Sequence, residues 1–306
     1  SDDMILNEFK SLMATDMALP VAAMNCYMLV LRQSTSETWM GLEKELASAS
    51  CLLKSCSKDS FGGRTNLSLI SSTELFFTFL SRAFLVETDF DVCKKELLRR
   101  AEKFASMSAK SRLNISRMGG SFIEDRPGFT VLTYGNSRVV QNLLLNAFET
   151  KKFNLIVVDS PEGYGRDQCK TFVDAGIPTQ LVMSCAIASA IETTNFCIVG
   201  AELVTENGGI VNKLGTFALA LCAKALNKPF YVAVESYKFS RMSPLTQRDV
   251  TDLVEDDCLS GVPDGVDARY IPIDLTPAEY ISLLFTDIGV LTPPAVSEEL
   301  MRLHSS

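Results

Sequence analysis

Three polar, glycine-bearing segments hold the side chains from which a site is most readily built. The first is Thr133-Tyr134-Gly135-Asn136-Ser137-Arg138, and the second is Asp159-Ser160-Pro161-Glu162-Gly163-Tyr164-Gly165-Arg166. The third joins Gly200-Ala201-Glu202 to Glu206-Asn207-Gly208-Gly209-Ile210-Val211-Asn212-Lys213-Leu214-Gly215-Thr216. Glycine lets a backbone come close to a ligand, and Asn212 and Lys213 offer donors. A helix opening at Thr216 would add free N–H groups and the positive end of its dipole. Asn136, Ser137, Arg138, Gly165, Arg166, Glu202, Asn207, Gly208, Gly209, Asn212 and Lys213 together describe a modest anion pocket suited to a sugar phosphate. No segment reads G-x-x-x-x-G-K-[ST] or G-x-G-x-x-G, so neither nucleotide hydrolysis nor dinucleotide binding has a motif behind it. Each turn also reads as the ordinary glycine turn that any strand needs. Glu202 and Glu206 are either an acid/base pair or two loop carboxylates facing water.

The elements around these segments divide the chain. Residues 1–125 read as helix after helix, with Trp39, Leu42 and Leu46 at i, i+3, i+7 and a second apolar stripe from Leu75 to Phe84 and Leu85. Over 90–107, Leu97, Leu98 and Phe104 oppose Lys94, Lys95, Arg99 and Arg100, a solvated face with Glu96 and Glu102 interspersed. The one clear break is 60–65, around Gly62-Gly63-Arg64. After Pro127-Gly128 short apolar runs at 129–134, 153–158, 179–182, 196–199 and 230–234 alternate with helical stretches. Continuously apolar strands alternating with helices imply a parallel sheet covered on both faces. The expected fold is therefore a helical N-terminal domain over 1–125 and a Rossmann-like, doubly wound α/β domain over 126–306. Ligands of such a sheet gather beyond the carboxyl ends of its strands.

Charge and composition narrow the chemistry. The 306 residues carry 29 Lys and Arg against 37 Asp and Glu, a net charge of −8 that argues against direct nucleic-acid binding. The single histidine, His304, is third from the end, so histidine triads, Cys–His dyads and multi-histidine metal sites would rest on a chain terminus. Nine scattered cysteines without a C-x2-C pair read as reduced, buried hydrophobes of a cytoplasmic protein. No apolar run reaches the ~18 residues of a membrane span, and the acidic start has the wrong sign for a signal peptide. No cofactor and no metal is called for.

Over the third segment the residues become recognisable. The run from Glu206 to Thr216, then Ala223-Lys224-Ala225, Asn227-Lys228-Pro229-Phe230-Tyr231-Val232 and Glu235-Ser236-Tyr237-Lys238-Phe239, closely resembles the family of alpha subunits of eukaryotic translation initiation factor two-B. So does Leu283-Leu284-Phe285-Thr286-Asp287-Ile288-Gly289-Val290-Leu291-Thr292-Pro293, and the match runs back through Asn136-Ser137-Arg138 and Ser72-Thr73-Glu74 to Asn7-Glu8-Phe9. The resemblance implies a regulatory subunit of the guanine-nucleotide exchange factor for initiation factor two. It implies a homodimer that joins the other subunits and helps sense the phosphorylated alpha subunit of the substrate factor. Exchange catalysis belongs to another subunit of that factor.

The wider superfamily contains aldose–ketose isomerases of methylthioribose 1-phosphate and ribose 1,5-bisphosphate, which supply the alternative function. Those enzymes carry a catalytic cysteine in a Thr-x-Cys-Asn turn and an aspartate after the Gly-Ala that ends the fourth strand. Here Gly135 stands at the cysteine position and Glu202 at the aspartate position. A glycine cannot serve as general acid, and the extra methylene of glutamate displaces the carboxylate, so no isomerisation is expected. The anion-binding residue types are retained, so a sugar phosphate or nucleotide is expected as a ligand that is not turned over. The resemblance also implies dimerisation through the C-terminal domain. Tyr237, Phe239 and Leu283-Leu284-Phe285 are apolar enough to contribute or to be ordinary core, and 241–271 reads as an acidic exposed loop.

Overall fold

The computed structural model describes residues 2–15, 17–60, 67–81, 90–160, 163–251, 257–258, 262–263, 265–266 and 269–305. The expected break at 60–65, the end of the apolar stripe at Phe84 and Leu85, and Pro161-Glu162 fall wholly or largely outside them. The chain forms two compact units, Ser1–Lys110 with Met301–Ser306, and Ser111–Leu300.

Five helices open the chain: α1 (Asp2–Ala14), α2 (Leu19–Gln33), α3 (Trp39–Ser60), α4 (Leu67–Ser81) and α5 (Phe90–Gly120). Pro20 sits in the first turn of α2, where its missing N–H costs nothing. The core of this unit is aromatic. Tyr27 stacks on Phe76 at 5.5 Å between ring centres and bonds Thr73 Oγ1 through its hydroxyl at 3.1 Å. Leu42 and Leu46 are buried, as their spacing requires. The basic face of α5 is solvated: Glu96 accepts from Arg99 and Arg100, and Lys94 donates to the Ser34 carbonyl.

The second unit continues with β1 (Thr130–Tyr134), α6 (Arg138–Phe148), β2 (Asn154–Asp159), α7 (Tyr164–Asp174), β3 (Thr179–Met183) and α8 (Ile187–Glu192). Then come β4 (Phe196–Val199), β5 (Leu203–Val204), β6 (Ile210–Lys213), α9 (Thr216–Ala225) and β7 (Phe230–Ala233). The remaining elements are α10 (Gln247–Thr251), β8 (Asp257–Cys258), β9 (Arg269–Tyr270), β10 (Ile273–Thr276), β11 (Leu283–Thr286), β12 (Gly289–Leu291) and α11 (Ala295–Ser305). The main sheet has seven strands in the order β12-β11-β7-β4-β1-β2-β3, parallel except for β12. The α/β fold is thus as expected, and the five anticipated strands form its parallel body.

Two features depart from the sequence reading, and one alternative that it left open is decided for the core. Leu283-Leu284-Phe285 is a sixth parallel strand, β11; Leu284 and Phe285 are fully buried, and Tyr237 and Phe239 are nearly so. These side chains fill this subunit's own core and are not available to a dimer interface. The run Ile210-Val211-Asn212-Lys213 is a strand in a second, antiparallel sheet of order β10-β6-β5, not a loop. Its β-branched Ile210 and Val211 suit a pleated surface, and the glycines before it supply the turn. Within 241–271, α10 and the β8–β9 pair are ordered elements.

The sheet's core shows why the register holds. Val131, Leu155, Val157, Phe196, Ile198, Ala233 and Phe285 share one face and pack against Val140, Leu143, Leu144 and Phe172 of the covering helices. Ile115 and Gly119, at the end of α5, lie against the same face. A Cβ on Gly119 would approach Phe285 to 2.9 Å, so the helix seats closely only as glycine. By contrast β3, at the sheet's edge, leaves Leu181 and Met183 about half exposed. Cys26 and Cys197 are buried free thiols whose pKa values burial pushes up to about 12, whereas Cys185 is exposed. No helix among the described residues is long and apolar enough to cross a membrane.

Candidate functional site

In the main sheet β1 is flanked by β2 on one side and β4 on the other, so the chain reverses its direction of winding between β1 and β4. That reversal opens a crevice at the carboxyl ends of the strands. Asn136, Ser137 and Arg138 lie at its edge, after β1. Ser137 caps α6, its Oγ accepting from Val140 N at 3.4 Å. Gly200, after β4, comes so close to Ser137 that a Cβ would overlap the serine side chain. Gly135 has φ +75° and nothing within 4 Å of a would-be Cβ, so a side chain there would project into open space.

The start of α7 is built on Asp159, the last residue of β2. Its side chain is 1% exposed; Oδ1 accepts from Gly165 N at 3.1 Å and Oδ2 from Arg166 Nε at 2.9 Å. A Cβ on Gly165 would stand 2.8 Å from Asp159 Cα, which explains the glycine in steric terms. Arg166 itself is 69% exposed. Gln168, one turn on, is buried and donates from Nε2 to the Ser137 carbonyl at 3.4 Å. Its Oε1, together with Thr133 Oγ1 and Ser160 Oγ, has no hydrogen-bond partner among the described residues. Buried polar atoms are rarely left so, and here they gather at the carboxyl ends of β1 and β2.

Glu202 and Lys213 meet across the β5–β6 pairing. Glu202 N donates to the Val211 carbonyl at 2.9 Å, and its Oε1 lies 3.9 Å from Lys213 Nζ. The ammonium also stands 5.8 Å from the ring centre of Tyr164, the first residue of α7. One structural path therefore joins Lys213 and Glu202 to the α7 start with Gly165 and Arg166.

The other predicted residues fall elsewhere. Asn207, Gly208 and Gly209 form the tight turn of the β5–β6 hairpin, where Asn207 Oδ1 accepts from Thr205 Oγ1 at 2.5 Å and Gly209 N at 3.2 Å. Gly208, at φ +84°, is pressed against the Pro293 backbone. With β6 between them, this turn and Lys213 are about 13 Å apart at the rise of a strand. Glu206 belongs to the turn as well, where Ser243 Oγ donates to its Oε2 at 3.4 Å. Asn212 is buried and donates to Thr216 Oγ1 at 3.1 Å, an internal bond.

The free N–H groups expected at the start of α9 are occupied. Asp274, opposite Asn212 on β10, accepts through Oδ2 from Gly215 N at 2.7 Å and Phe217 N at 3.0 Å. Burial pushes its carboxyl up to about 6, against the pull of these backbone bonds. The helix dipole here is answered by the protein's own carboxylate. No spacing motif announces Asp274, because its partners are 57 and 59 positions away. Asp159 was legible as a polar residue at a strand end, but its role as the anchor of Arg166 was not.

Just beyond β7 lies a charged cluster. Glu235, nearly fully buried, accepts from Arg112 Nε at 3.5 Å and Tyr237 OH at 2.9 Å, with Lys238 Nζ 3.1 Å away. Burial pushes its carboxyl up, but Lys238 and Arg112 overcome this and hold it below the usual range. Lys238 also donates to the Ala201 carbonyl at 2.9 Å, fixing the turn that carries Glu202. The arrangement places charged and polar side chains about the carboxyl ends of β1, β2 and β4. With glycine at 135 it presents no side chain there to transfer a proton.

Comparison with known proteins agrees with this architecture. Residues 13–293 match the model of the initiation factor 2 subunit family. The chain is 39% identical to translation initiation factor eIF2B subunit alpha of Dictyostelium discoideum, over 99% of this chain and 97% of that protein. It is 32% identical to ribose 1,5-bisphosphate isomerase of Archaeoglobus fulgidus, over 65% of each. Among solved structures, the tetrameric eIF2B-beta2-delta2 complex from C. thermophilum superposes with a TM-score of 0.77 at 18% identity, covering 99% of this chain and 95% of that one. A helical region followed by a seven-stranded, mostly parallel sheet and a match to the family model over 13–293 lead to one assignment: this chain belongs to the initiation factor 2 subunit family.

Proposed function

We propose that this protein is a regulatory, non-catalytic subunit of the guanine-nucleotide exchange factor for translation initiation factor two. The observation that carries the reading is the end-to-end similarity to a subunit alpha at 39% identity. In this reading the chain forms a homodimer in the cytoplasm, joins the other exchange-factor subunits, and presents its N-terminal helices to the phosphorylated alpha subunit of the substrate factor. Co-expression with the other subunits tests it. A tag on one of them should retain this chain in fixed proportion, and separate elution would overturn the reading.

The 32% identity to an isomerase makes the enzymatic reading worth testing. Gly135 supplies no acid, and the Glu202 carboxylate is engaged by Lys213. We infer a crevice that binds a sugar phosphate or nucleotide without converting it, with Arg166 and Lys213 as its cations. The buried Thr133 Oγ1 and Gln168 Oε1, which lack partners among the described residues, support a polar occupant. Incubation with ribose 1,5-bisphosphate should yield no ketose; turnover would overturn the non-catalytic assignment. A melting-temperature rise with millimolar sugar phosphate is expected, and a flat titration would remove the ligand.

A further inference from the structure

Resting on the reading that the crevice takes a phosphorylated small molecule, we propose that Glu202 is an internal competitor for it, so that a phosphate reaches Lys213 only by displacing this carboxylate. Two of the crevice cations, Arg166 and Lys213, are already matched by anions of the same chain. Arg166 is paired with Asp159 at 2.9 Å and Lys213 with Glu202 at 3.9 Å, so the four side chains sum to zero charge.

The two pairs differ in how firmly they are made. Asp159 is 1% exposed and is fixed by Gly165 N as well as by Arg166, so it cannot leave without stranding a buried N–H. Glu202 is 26% exposed, and its separation from Lys213 exceeds hydrogen-bond length. Its backbone is held by Val211 and, through Ala201, by Lys238, while the carboxylate has no hydrogen bond among those described. A phosphate monoester brings close to two negative charges where Glu202 brings one, so it can win Lys213. The released carboxylate then turns to water. The contact therefore sets a threshold: weak or singly charged anions are refused and phosphates bind with reduced affinity.

Calorimetric titration of the 306-residue chain with ribose 5-phosphate, and separately with inorganic phosphate, tests this. Glu202→Gln removes the competitor at nearly constant shape and is expected to bind about two- to fivefold more tightly than the unmodified protein, the scale of a partly exposed ion pair. Glu202→Ala should shift affinity in the same direction, which guards against an effect peculiar to the amide. Lys213→Met should abolish binding in either background. If the unmodified protein binds and Glu202→Gln binds equally or less tightly, Glu202 is a ligand contact or a bystander and the competitor role is overturned alone. Unchanged affinity in Lys213→Met overturns it as well. Absence of binding by the unmodified protein and by all variants overturns both the competitor role and the ligand reading on which it rests.

Discussion

Arg112 on α5 and Glu235 just beyond β7, 123 positions apart in the chain, meet at 3.5 Å with the carboxylate almost entirely removed from water. A buried charge is tolerated only while its partners remain. Arg112→Met leaves Glu235 to Lys238 and the Tyr237 hydroxyl, and should cost about 2 kcal/mol in urea unfolding. Glu235→Gln in the same background should recover part of the loss, because the stranded charge is gone. A loss below about 0.5 kcal/mol would mean that Lys238 alone suffices.

Asp274 gives a pH dependence of definite sign. Its ordinary value is 3.8 and burial raises it to about 6 in the folded chain. Both states are protonated well below 3.8, where the group's favourable contribution is complete. That contribution is lost as pH rises through 6, by roughly 3 kcal/mol at 1.36 kcal/mol per unit. Asp274→Asn should flatten the fall in stability between pH 4 and 7, measured by urea unfolding at each pH. Some dependence remains, since burial raises Asp287 too. An unchanged slope would refute the assignment.

Two glycines of the crevice should fail for different reasons. Gly135→Ala meets no atom but must hold φ +75°, costing about 1–2 kcal/mol. Gly165→Ala places its Cβ against the Asp159 backbone, so it should cost more and should also loosen Arg166. Melting temperatures rank the two; the reverse order would contradict the packing described here.

Leu143 and Leu181 offer a contrast within one unit. Leu143 is fully buried in the sheet's core, and truncation to alanine should cost about 2–5 kcal/mol. Leu181, 42% exposed on β3, should change stability by about 0.5 kcal/mol or less in the isolated subunit. Chemical denaturation of both variants reads the difference directly.

The parallel body of the sheet was legible because β1, β2, β4 and β7 are buried on both faces and read as unbroken apolar runs. Leu283-Leu284-Phe285 carries the same signature, yet lies about fifty residues beyond β7 with strands of the other sheets between, and so read equally as a dimer contact or as core. The hairpin at Glu206-Asn207-Gly208-Gly209 was ambiguous for the opposite reason. Its glycines serve a turn and a close approach to Pro293, and local sequence cannot tell these from a ligand cradle. Asn212 and Asp274 depend on register between distant strands, which no local pattern records. What the sequence located correctly, the ends of β1, β2 and β4, follows from topology alone.

Strand order also has a consequence for synthesis. In the main sheet β7 borders β11, and β11 borders β12, so one side of the sheet waits for residues 283–291, about fifty positions after β7. Until those residues leave the ribosome, β7 is an unpaired edge and the place of Phe285 among the core aromatics is unfilled. A nascent chain released before residue 283 would therefore expose a parallel strand edge and hydrophobic ring surface at once. Premature termination in this stretch should yield chaperone-bound or aggregated product rather than a shortened, folded subunit.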